Sequence, residues 1–335
     1  MTDIRMWGRS LFAVQRIDRA SWERLDLVSR WLIVARASVL VITFISASIA
    51  GLLAIRAGRF DPLLWILATL ALVLAHATNN LVNDLTDHLK GVDKNNYFRA
   101  IYGLHALEHK LLTLRGLVGY AAFSGIIAIV IGVSLVAARG PFAFALLMAG
   151  VAFVLFYTWP LKYIGLGELA VFLVWGPLMI GGTYFIVTGL WDWNVVLIGL
   201  PYALGTTTVI FGKHIDKLED DRTRGIHTLP VIIGERLARG ILVAMVVLMY
   251  ALVVYLIAVR LVGPALLVVF FAVPKARAAL ALYLKPRPRE RPQSWPAVVW
   301  PLYFVRMAFA HNRRYGLLFL AGLAVDVTIG LLLRS

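Results

Sequence analysis

Asn80, Asn83, Asp84 and Asp87 follow directly on the apolar run "LLWILATLALVLAHAT", in the stretch "NNLVNDLTDHLKGVD" (79–93). Their spacing of i, i+3, i+4 and i+7 puts all four on one face of a helix. A carboxylate at membrane depth costs roughly 2.5–3.5 kcal/mol on insertion scales. A chain that keeps two of them at the end of an apolar run is expected to hold a cation or a charged substrate there. A second polar stretch, "FGKHIDKLEDDRTRGIHTLP", closes a later apolar run. If that helix continues, Lys213, Asp216, Lys217 and Asp220 share a face and Glu219 points elsewhere.

The two clusters contain Asp84, Asp87, Asp93, Asp216, Glu219, Asp220 and Asp221, seven of only 18 acidic residues. Hard oxygen ligands suit Mg²⁺, which usually binds through one or two carboxylates plus substrate phosphates. Neighbouring Arg99, Lys213, Lys217 and Arg222 suit the phosphate oxygens left over. The ligand this implies is an isoprenoid diphosphate, with its head at the membrane surface and its tail among the helices. The competing reading is of acids that merely carry each helix into water.

The elements that must position these groups are membrane spans. The chain is 61% hydrophobic and 15% charged, with a mean hydropathy of +0.82, against about 25% charged residues in soluble domains. Nine spans are read, at 33–55, 62–83, 115–138, 141–158, 168–188, 194–213, 238–259, 262–284 and 315–333. This makes an all-α polytopic membrane protein with helices around a central cavity. Residues 1–335 are read as one integral-membrane domain. Residues 1–30 are a basic amphipathic segment lying on the cytoplasmic membrane surface, with no cleavable signal peptide.

With the N-terminus cytoplasmic, the outer loops and C-terminus hold only Arg56, Arg59, Arg139, Arg260 and Arg334 of the 33 Lys and Arg. The net charge of +15 therefore sets orientation in the cell membrane and does not call for nucleic acid. The Pro- and Arg-rich "KPRPRERPQSWP" (285–296) is expected to lie on lipid headgroups. Cysteine is absent, which excludes thiolate catalysis and Cys-ligated zinc.

"NDLTDHLKGVD" resembles the first aspartate-rich motif of the UbiA superfamily of intramembrane prenyltransferases. "DKLEDDRTRGIHTLPVIIGE" is similar to its second, and "YTWPLKYIGLGELAVFLVWGPLMIGGTYFIVTG" looks like the 1,4-dihydroxy-2-naphthoate (menaquinone) branch. The resemblance implies transfer of a prenyl group from an isoprenoid diphosphate to an aromatic quinone precursor, with two Mg²⁺ ions. It assigns Asn83, Asp84 and Asp87 to the first metal site, with Asn80 and Asp93 as helpers, and sets Lys162 against the diphosphate. Arg36 stands in "ARA", where the family reads Arg-Pro, and Arg99 is kept in altered surroundings.

Two registers fit the second motif. Direct counting gives Asp216 and Asp220 as ligands, the preferred reading. Counting back from "RTRGIHTLP" gives Asp221, with Lys217 in the place of the first aspartate. A lipid or sugar phosphate acceptor, internal cyclisation of the prenyl cation and cation-coupled transport are the rival functions. Transport is disfavoured because the acids end the spans instead of interrupting them at mid-membrane.

His105 and His109 sit at metal-binding spacing with no further ligand beside them. His76, one turn before Asn80, could orient it, and His214 could move a proton. Asp326 is expected to pair with Arg306 or Arg36. Phe153, Phe156, Tyr157, Trp159, Trp175, Tyr184 and Phe185 are candidates for lining the path of an allylic cation.

Overall fold

The computed structural model describes residues 3–15, 17–91 and 106–333, and contains helices and connections but no strand among them. Three short helices, α1 (Ile4–Phe12), α2 (Arg19–Glu23) and α3 (Leu27–Val34), precede the membrane region. The long helices are α4 (Ala37–Arg56), α5 (Pro62–Leu89), α6 (Leu114–Arg139), α7 (Pro141–Phe156), α8 (Gly167–Thr188) and α9 (Trp193–Asp216). Two short helices, α10 (Leu218–Thr223) and α11 (Leu229–Ile233), lead to α12 (Glu235–Ala258), α13 (Pro264–Tyr283) and α14 (Phe304–Leu332). Eight of these are long and apolar enough to cross a membrane, and α7 is a shorter apolar helix. The chain is thus a multi-pass helical membrane protein, as its composition requires.

Local chemistry sets the helix starts. Asp61, Thr113 and Asp192 each accept a backbone N–H from the first turn of α5, α6 and α9, the usual N-cap role of short polar side chains. Pro62 and Pro141 stand at helix starts, where the missing N–H costs nothing. Gly140, at φ +76, makes the tight reversal between α6 and α7.

Helix α9 is the central element, with 78% of its apolar window buried against 28% for α5. It packs on α14, α12 and α8, and the principal core lies among α4, α8, α9, α12, α13 and α14. Helices α5, α6 and α7 pack mainly on one another and close over the α8–α9 side. A cavity remains between these two groups. Inside α8 the stretch Val174–Gly181 winds as a π-helix, with Pro177 within it. Val174, Trp175 and Leu178 of that stretch face the cavity. Such insertions often occur where a helix must present side chains to a site.

Two span readings need correction. The last span begins at Phe304 and not near residue 315. The polar string "HNRRY" reads as loop, yet His311, Asn312 and Tyr315 are fully enclosed by neighbouring helices. The sixth span does not run on into the second acidic cluster. It ends at Asp216, Lys217 leaves helical geometry at φ −99 and ψ 4, and α10 starts afresh.

Candidate functional site

The first motif lies on the C-terminal end of α5, and each of its side chains has a definite partner. Asp84 pairs with Arg36, Nη2 to Oδ1 at 3.2 Å. Arg36 occupies the left-handed region (φ 58, ψ 53) at the α3–α4 junction, a conformation that costs a non-glycine residue roughly 1–2 kcal/mol. The surroundings hold it there. Its guanidinium donates to the Asn80 carbonyl at 2.9 Å, and the Asn80 side chain donates to the Ala35 carbonyl at 3.0 Å. Asn80 therefore locks this junction to α5.

One turn on, Asn83 Oδ1 accepts from Thr158 Oγ1 at 3.2 Å. Asp87 accepts from Lys162 Nζ at 2.9 and 3.3 Å. Lys162 is presented by the tight turn between α7 and α8, closed by Gly165 at φ +76. All of Arg36, Asn83, Asp84, Asp87 and Lys162 are buried. Charges in such a place have to be paired, because desolvation penalises any that are not.

The second motif divides in a way the helical wheel did not anticipate. Asp216 is turned away from the first motif. Its carboxylate accepts the backbone N–H groups of Tyr303, Phe304 and Val305 at 2.9, 3.0 and 3.0 Å, with Arg287 Nε at 3.6 Å. It thus caps α14 from 87 residues away. Asp220 pairs with Arg224 at 2.9 Å, and Arg222 forms an exposed pair with Glu219 at 3.1 Å.

Asp221 is the other buried acid of this motif, and Lys217 donates to it at 2.9 Å. Lys217 and Lys213 both act electrostatically on Asp87, so this part of the second motif faces the first. The preferred pairing of Asp216 with Asp220 on the face of Lys213 is corrected accordingly. The break at Lys217 rotates α10, and the free N-terminus of α14 captures Asp216. Arg222 does not join the cluster. Asp93, Arg99 and His105 lie outside the described residues.

Above the charged groups the cavity encloses about 530 Å³, within the usual range for small-molecule sites. Arg36, Asn80, Asn83, Lys162 and Lys213 line its polar end; Ala68, Leu135, Ala143 and Ile186 line the other. Asn83 and Ala68 both face it from α5, and 15 residues at 1.5 Å each make it about 22 Å long. Of the aromatic candidates, Phe153, Tyr157 and Trp175 line it. Phe156 and Trp159 are exposed, and Tyr184 and Phe185 are buried in the packing.

The remaining polar expectations resolve as follows. His76 lines the cavity, but it bonds Thr43 at 2.8 Å and meets the Trp175 ring edge-on instead of orienting Asn80. His109 is exposed, and no three His, Cys, Asp or Glu side chains converge on a metal-sized site among the described residues. Asp326 pairs with neither Arg306, which stacks on Trp295, nor Arg36; it lies against Gly263 at the start of α13. His214 is held by a residue that sequence reasoning missed. Glu168 Oε1 meets its Nδ1 at 2.6 Å, while Glu168 Oε2 accepts from the Leu229 N–H at 3.4 Å. The available signal was a lone acid opening an apolar span, which needs a buried partner.

Residues 43–312 match the UbiA prenyltransferase family. Among curated proteins, the chain is 28% identical over 191 residues to the UbiA prenyltransferase domain-containing protein 1 homolog of Drosophila melanogaster. That alignment covers 56% of this chain and only about half (52%) of the fly protein. It is 26% identical over 246 residues to the 1,4-dihydroxy-2-naphthoate octaprenyltransferase of Bacillus subtilis, covering 72% of this chain and 77% of that one.

Among solved structures, a UbiA homolog from Aeropyrum pernix K1 superposes with a TM-score of 0.63 at 19% identity. The match covers 85% of this chain and 97% of that one. A UbiA homolog from Archaeoglobus fulgidus, solved bound to GPP and Mg²⁺, gives 0.52 at 12% identity over 87% and 99%. At these identities the two structures establish a shared fold. From the extent of the family match, the chain belongs to the UbiA prenyltransferase family.

Proposed function

We propose that this chain transfers a prenyl group from an isoprenoid diphosphate to an aromatic acceptor of the 1,4-dihydroxy-2-naphthoate type. The observation that carries the reading is one continuous cavity, about 22 Å long by helix rise, with an apolar body and a cation-lined end. That shape matches a ligand with a long hydrocarbon tail and a multiply charged head. The naphthoate acceptor draws support from the name of the B. subtilis relative, and the diphosphate from the ligand of the A. fulgidus structure.

In this reading the diphosphate lies at the polar end, between Arg36, Lys162, Lys213 and Lys217. Arg36 and Lys162 are long side chains that can exchange a carboxylate partner for a phosphate oxygen, which leaves Asp84 and Asp87 open to a metal. Asn83, Asp84, Asp87 and Asp221 offer hard amide and carboxylate oxygens, a donor set that fits Mg²⁺ together with phosphate. Mg²⁺ bound there would neutralise charge developing on the leaving diphosphate.

The allylic C–O bond breaks, the prenyl carbon bonds to an electron-rich acceptor carbon, and the proton displaced from the acceptor leaves with a basic oxygen nearby. The chain's contribution is to fix the head, shield the prenyl carbon from water with apolar walls, and offer the Tyr157 and Trp175 rings to the cationic fragment. Asp216 positions the frame and does not touch the substrate, while Asn80 locks the α3–α4 junction from the cavity wall.

The active end faces the cytoplasm in this reading, as the inner-side excess of Lys and Arg favours. The test is to supply membranes containing the chain with labelled allylic diphosphates and candidate acceptors, and to identify the product by mass spectrometry. A prenylated naphthoate is expected. A cyclic hydrocarbon, or a prenylated lipid or sugar phosphate alone, would overturn the acceptor assignment; no turnover of any diphosphate would overturn the whole reading.

A further inference from the structure

Lys217 sits where the two acidic motifs meet. Its ammonium is 2.9 Å from Asp221 Oδ1 and 3.8 Å from Asp220 Oδ2, and it acts on Asp87 across the site. Lys217 thus ion-pairs within the second motif and adds its field at Asp87 of the first, where Lys162 already pairs, so its fixed positive charge stands between the two acidic sets. The side chain has little room to leave, being only 13% exposed beside an almost fully buried Asp221.

Charge counting leads the same way. Among the described residues, Arg36, Lys162, Lys213 and Lys217 stand against Asp84, Asp87 and Asp221, one positive charge in excess. Asp220 with Arg224 adds nothing, since that pair is neutral. A diphosphate head brings roughly three negative charges. One divalent ion then balances the site, whereas a second would leave two positive charges uncompensated in a largely desolvated place, which is costly.

We propose that the Lys217 ammonium is a built-in cation joining the two acidic motifs, so that this site takes a single divalent ion with its diphosphate. The inference rests on the prenyl-diphosphate reading above and replaces the pair of ions that the family resemblance implied. Lys217 keeps Asp221 oriented and contributes a charge that cannot be removed by chelation. The single exchangeable ion sits with Asn83, Asp84, Asp87 and Asp221, the last held in place by Lys217.

The test counts ions and does not depend on turnover. The purified full-length chain in detergent is titrated with Mn²⁺, with and without inorganic pyrophosphate, and bound metal is read from loss of the free-ion electron paramagnetic resonance signal. One pyrophosphate-dependent Mn²⁺ per wild-type chain is expected. Lys217→Asp should raise the number to two, and Lys217→Arg should keep it at one. Two ions on the wild type would overturn the inference while leaving the prenyl-diphosphate reading in place, and this arm needs no variant to fold. A folded Lys217→Asp protein that still binds one ion would also overturn it. A wild-type chain that binds no Mn²⁺ with pyrophosphate would overturn the underlying reading as well.

Discussion

Asp216 gives the sharpest separation of a structural acid from a metal ligand. Its two oxygens take three backbone N–H groups of residues 303–305, all buried. Hydrogen bonds to a charged group are worth about 1.5–3 kcal/mol each, and neighbouring ones do not add fully. Asp216→Ala leaves the three donors without this acceptor and is expected to cost about 3–5 kcal/mol, in the range found for breaking buried charged contacts. Asp216→Asn is milder. Its single carbonyl oxygen can replace Oδ2, which serves Tyr303 and Val305, while the amide turns a donor toward the Phe304 N–H. A loss of about 1.5–3 kcal/mol follows from that one bond.

Denaturant unfolding in detergent measures the stability, and Mn²⁺ titration with pyrophosphate on the folded fraction measures the site. Asp216→Asn should be destabilised with its metal affinity close to wild type. If Asp216→Asn were as stable as wild type but bound Mn²⁺ ten times more weakly, the carboxylate would be a ligand and the argument would be refuted.

At the other acids of the second motif, Asp221→Asn should weaken Mn²⁺ binding at least tenfold, while Asp220→Asn, on a partly exposed pair with Arg224, should change it less than threefold; similar small effects from both would remove the second motif from the metal site. Excess EDTA should abolish prenyl transfer, and full activity in its presence would exclude a divalent ion. Ala71 faces the cavity from α5, 12 residues or about 18 Å from Asn83. Ala71→Phe should therefore cut kcat/KM for a 20-carbon diphosphate more than tenfold and spare a 10-carbon one, a contrast read from paired kinetics. Equal losses for both lengths would place the tail elsewhere. Because the chain has no cysteine, orientation can be read by labelling single cysteines. Cysteine at Lys90, Thr223 or Glu290 should react from the cytoplasmic side, and at Arg59 or Leu190 only from outside; the reverse pattern would invert the topology.

Membrane class, the positions of most spans and the first motif were all legible in the sequence, because each depends on local periodicity. An apolar run long enough to span shows itself residue by residue. Asn80, Asn83, Asp84 and Asp87 share a face for the same reason, since α5 continues through Leu89. The division of labour on that face was not legible. Asn80 bonds the Ala35 carbonyl 45 positions back, whereas Asp87 meets Lys162, 75 positions ahead.

The second motif shows most clearly what only the tertiary structure decides. In sequence, Asp216, Asp220 and Asp221 are equivalent acids near a span end, and an ideal helical wheel joins Asp216 with Asp220. The choice among them was made by donors supplied from far along the chain: the start of α14 needed an acceptor for its unpaired N–H groups and found it in Asp216. With Asp216 engaged there, α9 stops, Lys217 turns, and Asp221 becomes the acid buried beside the Lys217 ammonium. Glu168 and His214 follow the same rule, each a costly polar group in an apolar setting until the fold sets one against the other. Local pattern determined which residues would lie in the membrane and which polar groups would have to be compensated; only the packing of distant helices determined by what.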